Sequence, residues 1–306
     1  MGSIAVLGPG AVGGFLAGAL ARAGESVTVV AREQTAAVIA REGLRVRSVR
    51  LGDFTARPRV VSRLDDPPDV LLVATKAGGL RAALERVGPD PALAVPLLNG
   101  LDHMGALRDR FGERAVAGTI RIEADRPAPG LIVHTSGFLR VDLASDRPGP
   151  RPRIEALAAV LERAGVPVHI GDSEAQVLWS KLVRLNALAC TTAAADRPLG
   201  FVRSDPEWSA SLAACVTEGV AVADAEGAHI QVATVLGELE AAHDTLGSSM
   251  QRDIAAGREP ELDHIVGSVL RAGARHGLAC PTIARLAGMI AERAGVAPPH
   301  TASVAD

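Results

Sequence analysis

The stretch "IAVLGPGAVGGFLAGAL", residues 4–20, decides the fold. A short apolar run ends in Gly8-Pro9-Gly10-Ala11-Val12-Gly13, and a small-residue run with helical character follows from Val12 to Ala23. A glycine loop that closes a strand and opens a helix is how dinucleotide-binding folds begin. One glycine makes the tight turn, one lets the backbone approach a pyrophosphate, and one lets helix and strand pack closely. The helix N-terminus then offers unpaired N–H groups and a partial positive charge to the phosphates. The bland reading is a glycine-rich turn that packs small residues. The strand before the loop and the helix after it favour the dinucleotide, and make Gly8, Pro9, Gly10, Ala11, Val12 and Gly13 candidate cofactor-binding residues.

Working outward, apolar runs alternate with helical patterns as far as about residue 171. "SVTVVAR", "DVLLVATK", "ALAVPLLNG" and "RAVAGTI" read as strands between helices, which indicates βαβ units and a mostly parallel sheet. "GLIVHTS" and "GFLRVDLAS" read as an antiparallel pair around a tight loop, and "VPVHIGD" as a last short strand. Beyond Ser173 the pattern becomes helical. Asp205 is an expected N-cap with Pro206 behind it, Gly227 a stop, and two or three further helices run to Gly295. The final "GVAPPHTASVAD" reads as a frayed tail. The expected fold is α/β: a Rossmann-type N-terminal domain with a mostly parallel sheet, residues 1–171, plus an all-helical C-terminal domain, residues 172–306.

Composition narrows the function. The 306 residues are 48% hydrophobic and 22% charged, with a formal net charge of −3. That charge disfavours a polyanion partner, and a 2% aromatic content leaves few surfaces on which bases stack. Cys190, Cys215 and Cys280 form no CxxC pair, so no metal is expected, and their odd number fits a reducing compartment. No signal-peptide pattern and no long apolar span are evident, so a cytoplasmic protein without membrane contact is expected. Walker A, HExxH and GxSxG motifs are all absent.

The cofactor choice turns on the end of the second strand, where NAD sites place an acid for the ribose 2′-OH. Here Ala31 is followed by Arg32, which favours NADP(H) through pairing with a 2′-phosphate, while Glu33 keeps NAD open. Of 32 basic side chains only Lys76 and Lys181 are lysines, and Asn99 and Asn186 are the only asparagines. A lysine, unlike an arginine, readily gives up a proton, so two retained lysines are candidates for chemistry. Lys76 and Asn99 end strands on the side where α/β sheets bind ligands. Their plain alternatives are a solvent-facing lysine and an Asn-Gly turn. Lys181 borders an apolar helical stripe of Leu178, Leu182 and Leu185, where a lysine either snorkels to water or points into a cleft.

These features together resemble one family. The glycine loop with Arg32, "KAGGL", "LLNGLDHM", "LWSKL" and "SSMQRDIAAGREPELDHIVGSVLRAGARHGLACPTI" occur in the order found in ketopantoate reductases (2-dehydropantoate 2-reductases), from about residue 4 to about residue 291. The resemblance implies NADPH-dependent reduction of a 2-oxo acid, ketopantoate to pantoate in pantothenate biosynthesis, in a cleft between a Rossmann-type and a helical domain. By position it implies that Gly8, Gly10 and Gly13 hold the pyrophosphate. Arg32 and Lys76 would lie near the NADPH phosphates or the cleft, and Asn99 would contact cofactor and substrate. Lys181 would be the general acid, with Glu261 beside it in the catalytic set and Ser249 and Glu261 binding substrate. Glu261 also has a bland reading as a first-turn carboxylate, and Ser249 as a helix cap. Exposed faces of the C-terminal helices are candidates for a homodimer contact.

The chain departs from the family's pattern at its polar positions. Leu185 stands one turn after Lys181, where many members carry asparagine. Asn186 is about 140° around the helix from Lys181. Ala189 and Gly79 replace further polar residues. The expected pocket is therefore roomier and more apolar, suited to a 2-oxo acid with few hydroxyls. Two other readings stand beside this one: a related dehydrogenase working oxidatively, and a non-catalytic NADP(H)-binding sensor.

Overall fold

A computed structural model describes residues 2–300. The chain forms two compact units. One comprises the chain up to Leu98 together with His103–Val177, and the other comprises Asn99–Asp102 together with the chain from Leu178 onward. The boundary expected after residue 171 lies just before a long helix, whereas the units part inside that helix, after Val177.

The first unit begins β1 (Ile4–Leu7), α1 (Ala11–Arg22), β2 (Val27–Val30), α2 (Glu33–Glu42), β3 (Leu44–Ser48), β4 (Phe54–Ala56), β5 (Arg59–Val61) and β6 (Val70–Val73). It continues with α3 (Leu80–Leu84), β7 (Leu93–Pro96), α4 (His103–Phe111), β8 (Ala117–Arg121), β9 (Ala124–Ala128), β10 (Leu131–His134), β11 (Arg140–Ala144), α5 (Arg151–Arg163) and β12 (Val168–Ile170). Five strands form a parallel sheet in the order β5-β2-β1-β6-β7. β1 sits at its centre, with Ile4 opposite both Val27 and Val70. Because strand side chains alternate, β1 feeds two cores: Ile4 and Val6 join one with Phe15, Leu16 and Leu20 of α1, and Ala5 and Leu7 join the other with Leu80 and Leu107. Full burial of a Phe or Leu of this kind stabilises the fold by roughly 1.5–3 kcal/mol. A strand buried on both faces has to read as an uninterrupted apolar run, which is why β1, β6 and β7 were visible in the sequence.

The expected hairpin of residues 130–136 with 137–145 does not form. β10 pairs antiparallel with β9 and parallel with β3 in a sheet ordered β4-β3-β10-β9. β11 pairs antiparallel with β8 and parallel with β12 in a third sheet. The short loop between β10 and β11 suggested local pairing. β10 instead forms its hairpin with β9, from which two residues separate it, and pairs on its other side with the distant β3, while β11 pairs with β8 and β12.

The second unit is helical. The long α6 (Glu174–Ala195) enters it, and α7 (Leu199–Ser204), α8 (Pro206–Ala225), α9 (Val232–Glu240), α10 (Ser249–Ala255), a turn of π-helix (Asp263–Gly267), α11 (Ser268–Arg275) and α12 (Pro281–Ala294) follow. Asp205 caps α8 by accepting from the N–H groups of Glu207 and Trp208, and Gly295 closes α12 in a left-handed conformation. The stretch after Gly295 does not fray as expected as far as His300. Pro299 is buried, the His300 N–H donates to Asp263 Oδ1 at 3.1 Å, and the His300 carbonyl accepts from Arg271 Nη1 at 3.0 Å. The rest of the expected tail, 301–306, lies outside the described residues.

One buried group in the first unit ties stability to pH. His134, 1% exposed, lies between Ser48 Oγ (2.8 Å from Nδ1) and Ser136 Oγ (3.1 Å from Nε2). Ser136 donates its own proton to the Phe138 carbonyl, so Nε2–H must donate to Ser136 and Nδ1 must accept from Ser48. That chain suits the neutral ring. Burial holds the His134 pKa below its ordinary 6.5, and nearby Arg50 adds to the effect. As pH falls below about 6.5 the unfolded chain therefore takes up this proton before the folded one, and stability present at higher pH is lost. The thermal midpoint of the wild type should fall more steeply from pH about 6.5 to about 5 than that of His134→Gln, which keeps hydrogen-bonding groups without a titrating ring. Parallel profiles would remove His134 from the acid response.

Candidate active site

In the first unit the site residues surround the carboxyl end of β1. Gly8 has φ +89°, a backbone that other residues rarely adopt. A Cβ on Gly13 would lie 2.2 Å from the Gly8 carbonyl oxygen, so only glycine allows α1 to start this close to the strand. A Cβ on Gly10 would have nothing nearer than the Ala74 oxygen at 3.8 Å, which leaves that backbone open to an approaching group. Gly10 begins α1 without a side-chain cap, and no acid lies in the first turn. The leading N–H groups are thus left for an anion, and the three glycines fit a pyrophosphate.

At the end of β2, Ala31 is buried and Arg32 immediately precedes α2. Arg32 is exposed and has no carboxylate partner among the described residues. Glu33 is held by Arg86, whose Nη1 donates to its Oε1 at 3.2 Å and to the Ser62 carbonyl at 3.0 Å. Its carboxyl lies below the usual range, through a backbone hydrogen bond of its own and then through Arg86. Lys76 is exposed just past the end of β6, ahead of the turn Ala77–Gly79. A side chain at Gly79 would meet open space.

The second unit brings three of the expected residues into contact. Lys181 Nζ donates to Asn99 Oδ1 at 2.9 Å, and Asn99 Nδ2 donates to Glu261 Oε2 at 3.2 Å. Lys181 projects from the second turn of α6 and is half-buried, as are Asn99 and Glu261. Asn99 reaches the pair because its short segment turns back on the helix that follows Glu261. Gly100 has φ +82°, and a Cβ there would lie 1.9 Å from the His264 carbonyl oxygen. Leu101 N–H donates to Ser268 Oγ at 3.3 Å, and that hydroxyl lies 2.6 Å from the His264 oxygen. The π-helical turn sits directly beneath this contact. Such turns interrupt the regular carbonyl ladder and recur at functional sites.

Ser249 stands apart from the trio. It is exposed at the start of α10 and makes no hydrogen bond to those three residues. The cap role belongs to its neighbour Ser248, which accepts from Gln251 N–H at 3.1 Å and from Thr192 Oγ1 at 3.0 Å. Asn186 is fully buried, and its Oδ1 accepts from Cys190 Sγ at 3.6 Å. Cys215 beside Cys190, together with burial, pushes the Cys190 thiol well up, so it is no nucleophile. Leu185, one turn after Lys181, is half-buried.

Sequence reasoning missed a second layer under the trio. Arg271, 7% exposed, donates to Asp102 Oδ2 at 2.6 Å, to Asp263 Oδ1 at 2.8 Å and to the Asp263 carbonyl at 3.0 Å. Burial opposes its charge, but the carboxylates outweigh it and raise its pKa. Asp263 is likewise held below the usual range by Arg271 in spite of its own burial. Asp102 lay within a quoted motif, but nothing local marked it as a partner of Arg271.

The family profile described as ketopantoate reductase PanE/ApbA matches residues 4–145, and its C-terminal counterpart matches residues 175–294. The 2-dehydropantoate 2-reductase of Caulobacter vibrioides is 32% identical over 95% of this chain and 98% of its own. That of Halobacterium salinarum is 28% identical over 94% and 97%. The crystal structure of 2-dehydropantoate 2-reductase from Geobacter metallireducens GS-15 superposes with a TM-score of 0.87 at 29% identity, covering 95% of this chain and 99% of that one. A D-mandelate dehydrogenase with NADH and anilino(oxo)acetate shares the fold at 22% identity, with a TM-score of 0.87 over 96% of this chain and 98% of its own. Both units thus carry one family's pattern from glycine loop to last helix, and the chain belongs to the ketopantoate reductase family of NAD(P)-dependent oxidoreductases.

Proposed function

We propose that the protein reduces the ketone of a 2-oxo acid to a 2-hydroxy acid with NADPH, and that Lys181 supplies the proton. The observation that carries this reading is the Lys181–Asn99–Glu261 chain of hydrogen bonds. Gly8, Gly10 and Gly13 would hold the pyrophosphate of a dinucleotide, with Arg32 and Lys76 near its phosphates, and the cofactor would supply the hydride. Addition of hydride to a ketone carbon leaves negative charge on its oxygen. An ammonium stabilises that charge and then neutralises it by proton transfer from Nζ, leaving a neutral amine to be reprotonated by water. Asn99 orients the ammonium by accepting one of its three protons. Glu261 holds the amide by accepting from its Nδ2. The exposed hydroxyl of Ser249 is available to the substrate carboxylate.

The preference for NADPH rests on charge. A 2′-phosphate would meet the unpartnered guanidinium of Arg32, while Glu33 is already paired with Arg86. A second reading concerns the substrate. Leu185 places an apolar side chain one turn from Lys181, which favours a 2-oxo acid with an apolar substituent over the hydroxylated ketopantoate.

Lys181→Ala should lower kcat by roughly 10²-fold or more while leaving NADPH affinity near that of the wild type. A near-normal kcat would remove Lys181 from the chemistry. Arg32→Ala should cost about tenfold in kcat/KM with NADPH and little with NADH, the loss of one charge-assisted contact. Equal losses with both cofactors would end the phosphate assignment. Across a panel of branched and aromatic 2-oxo acids, the wild type should prefer an apolar member, and Leu185→Asn should move the preference toward ketopantoate by about tenfold. A wide margin for ketopantoate in the wild type would refute the apolar reading but not the reductase.

A further inference from the structure

We infer that Arg271 is a positioning residue for proton delivery: clamped between Asp102 and Asp263, it fixes where Asn99 and Glu261 meet Lys181. The inference rests on the role proposed above for those three residues. Asp102 is three residues after Asn99 and Asp263 two after Glu261, so one guanidinium grips both segments that supply the lysine's partners. The grip is short on each side, 2.6 Å to Asp102 Oδ2 and 2.8 Å to Asp263 Oδ1, and the Asp263 and His300 carbonyls occupy further N–H groups at 3.0 Å each. A guanidinium is planar and its donors diverge at fixed angles, so it sets the separation of its carboxylates as a flexible ammonium would not. Gly267 makes room for it, since a Cβ there would lie 2.8 Å from Nη1.

The need for such a device follows from the segment it holds. Asn99–Asp102 has no helix or strand of its own. Gly100 presses on the His264 carbonyl, Leu101 N–H donates to Ser268 Oγ, and that hydroxyl lies 3.2 Å from Asp102 Oδ2, but none of these contacts reaches the segment that carries Glu261 with a charge. The Asp102–Arg271 pair supplies that charged tie, at the end of the segment opposite Asn99. Buried ion pairs contribute little net stability compared with apolar packing of the same volume. What this one contributes that packing does not is a defined distance between two segments far apart in sequence.

Asp102→Asn tests the inference with minimal disturbance, because Asp102 is 46% exposed and asparagine keeps its shape. Arg271→Lys keeps the charge and loses the fork. Each variant is made in the native background and in Asn99→Ala. In the native background both should lower kcat by about tenfold while KM for the oxo acid changes by less than about twofold. In Asn99→Ala the same changes should cost less than about twofold more, since contacts acting through one group are not additive. Equal losses in both backgrounds would reduce Arg271 to support of the fold, and no loss in the native background would show that Asn99 is placed without it. A crystal structure of Asp102→Asn reads the placement without reference to turnover. Asn99 Oδ1 should leave hydrogen-bond distance of Lys181 Nζ, beyond about 3.5 Å, and an unmoved Asn99 would overturn the inference. Absence of turnover by the wild type on every 2-oxo acid would instead fall on the proposed function, with the structural result still deciding the role of Arg271.

Discussion

An amide between an ammonium and a carboxylate has one orientation open to it. The ammonium has only donors and the carboxylate only acceptors, so the oxygen of Asn99 must face Lys181 and its nitrogen must face Glu261. The local structure around residues 99–102 serves that requirement. The asparagine has to arrive on a segment that is neither strand nor helix, close enough for both bonds. Gly100 allows the approach, the π-helical turn presents the His264 carbonyl that the segment rests on, and Ser268 takes the Leu101 N–H. A side chain larger than hydrogen at residue 100 would separate the amide from both partners.

How much was legible depended on how local each feature was. The glycine loop, β1 and α1 are contiguous, and their signals agree with one another at every level. The parallel strands β6 and β7 were visible because burial on both faces leaves an unbroken apolar run. β10 and β11 read as partners because a short loop joins them, but a still shorter loop joins β9 to β10, and the weakly apolar β9 did not read as a strand; β11 pairs with β8 and β12 farther along the chain. The contact between Asp102 and Arg271 spans 169 residues, and no spacing rule reaches that far. Family resemblance named Lys181, Asn99 and Glu261. It gave no account of what holds them, since that lies in side chains with no chemistry of their own.

Leu185 and Asn186 show how one helical position changes a residue's environment. Lys181 and Leu185 are four apart and share a face. Asn186 is turned away and is fully buried, where its amide meets Cys190. A polar side chain that serves a ligand in one register serves the interior in the next. The amide nitrogen of Asn186 has no partner among the described residues, a cost that an apolar residue there would not carry. Nothing in the structure explains why it is kept.

The division of the chain after Leu98 and again after Asp102 has a consequence for how such proteins can be recombined. A chimaera joined once, between the nucleotide-binding unit of one relative and the helical unit of another, would import Lys181 and Glu261 from one parent and Asn99, Gly100 and Asp102 from the other. The seam would run through the hydrogen bonds that join Lys181, Asn99 and Glu261. Exchange of the helical unit with these contacts intact therefore requires a second graft of four residues, Asn99–Asp102.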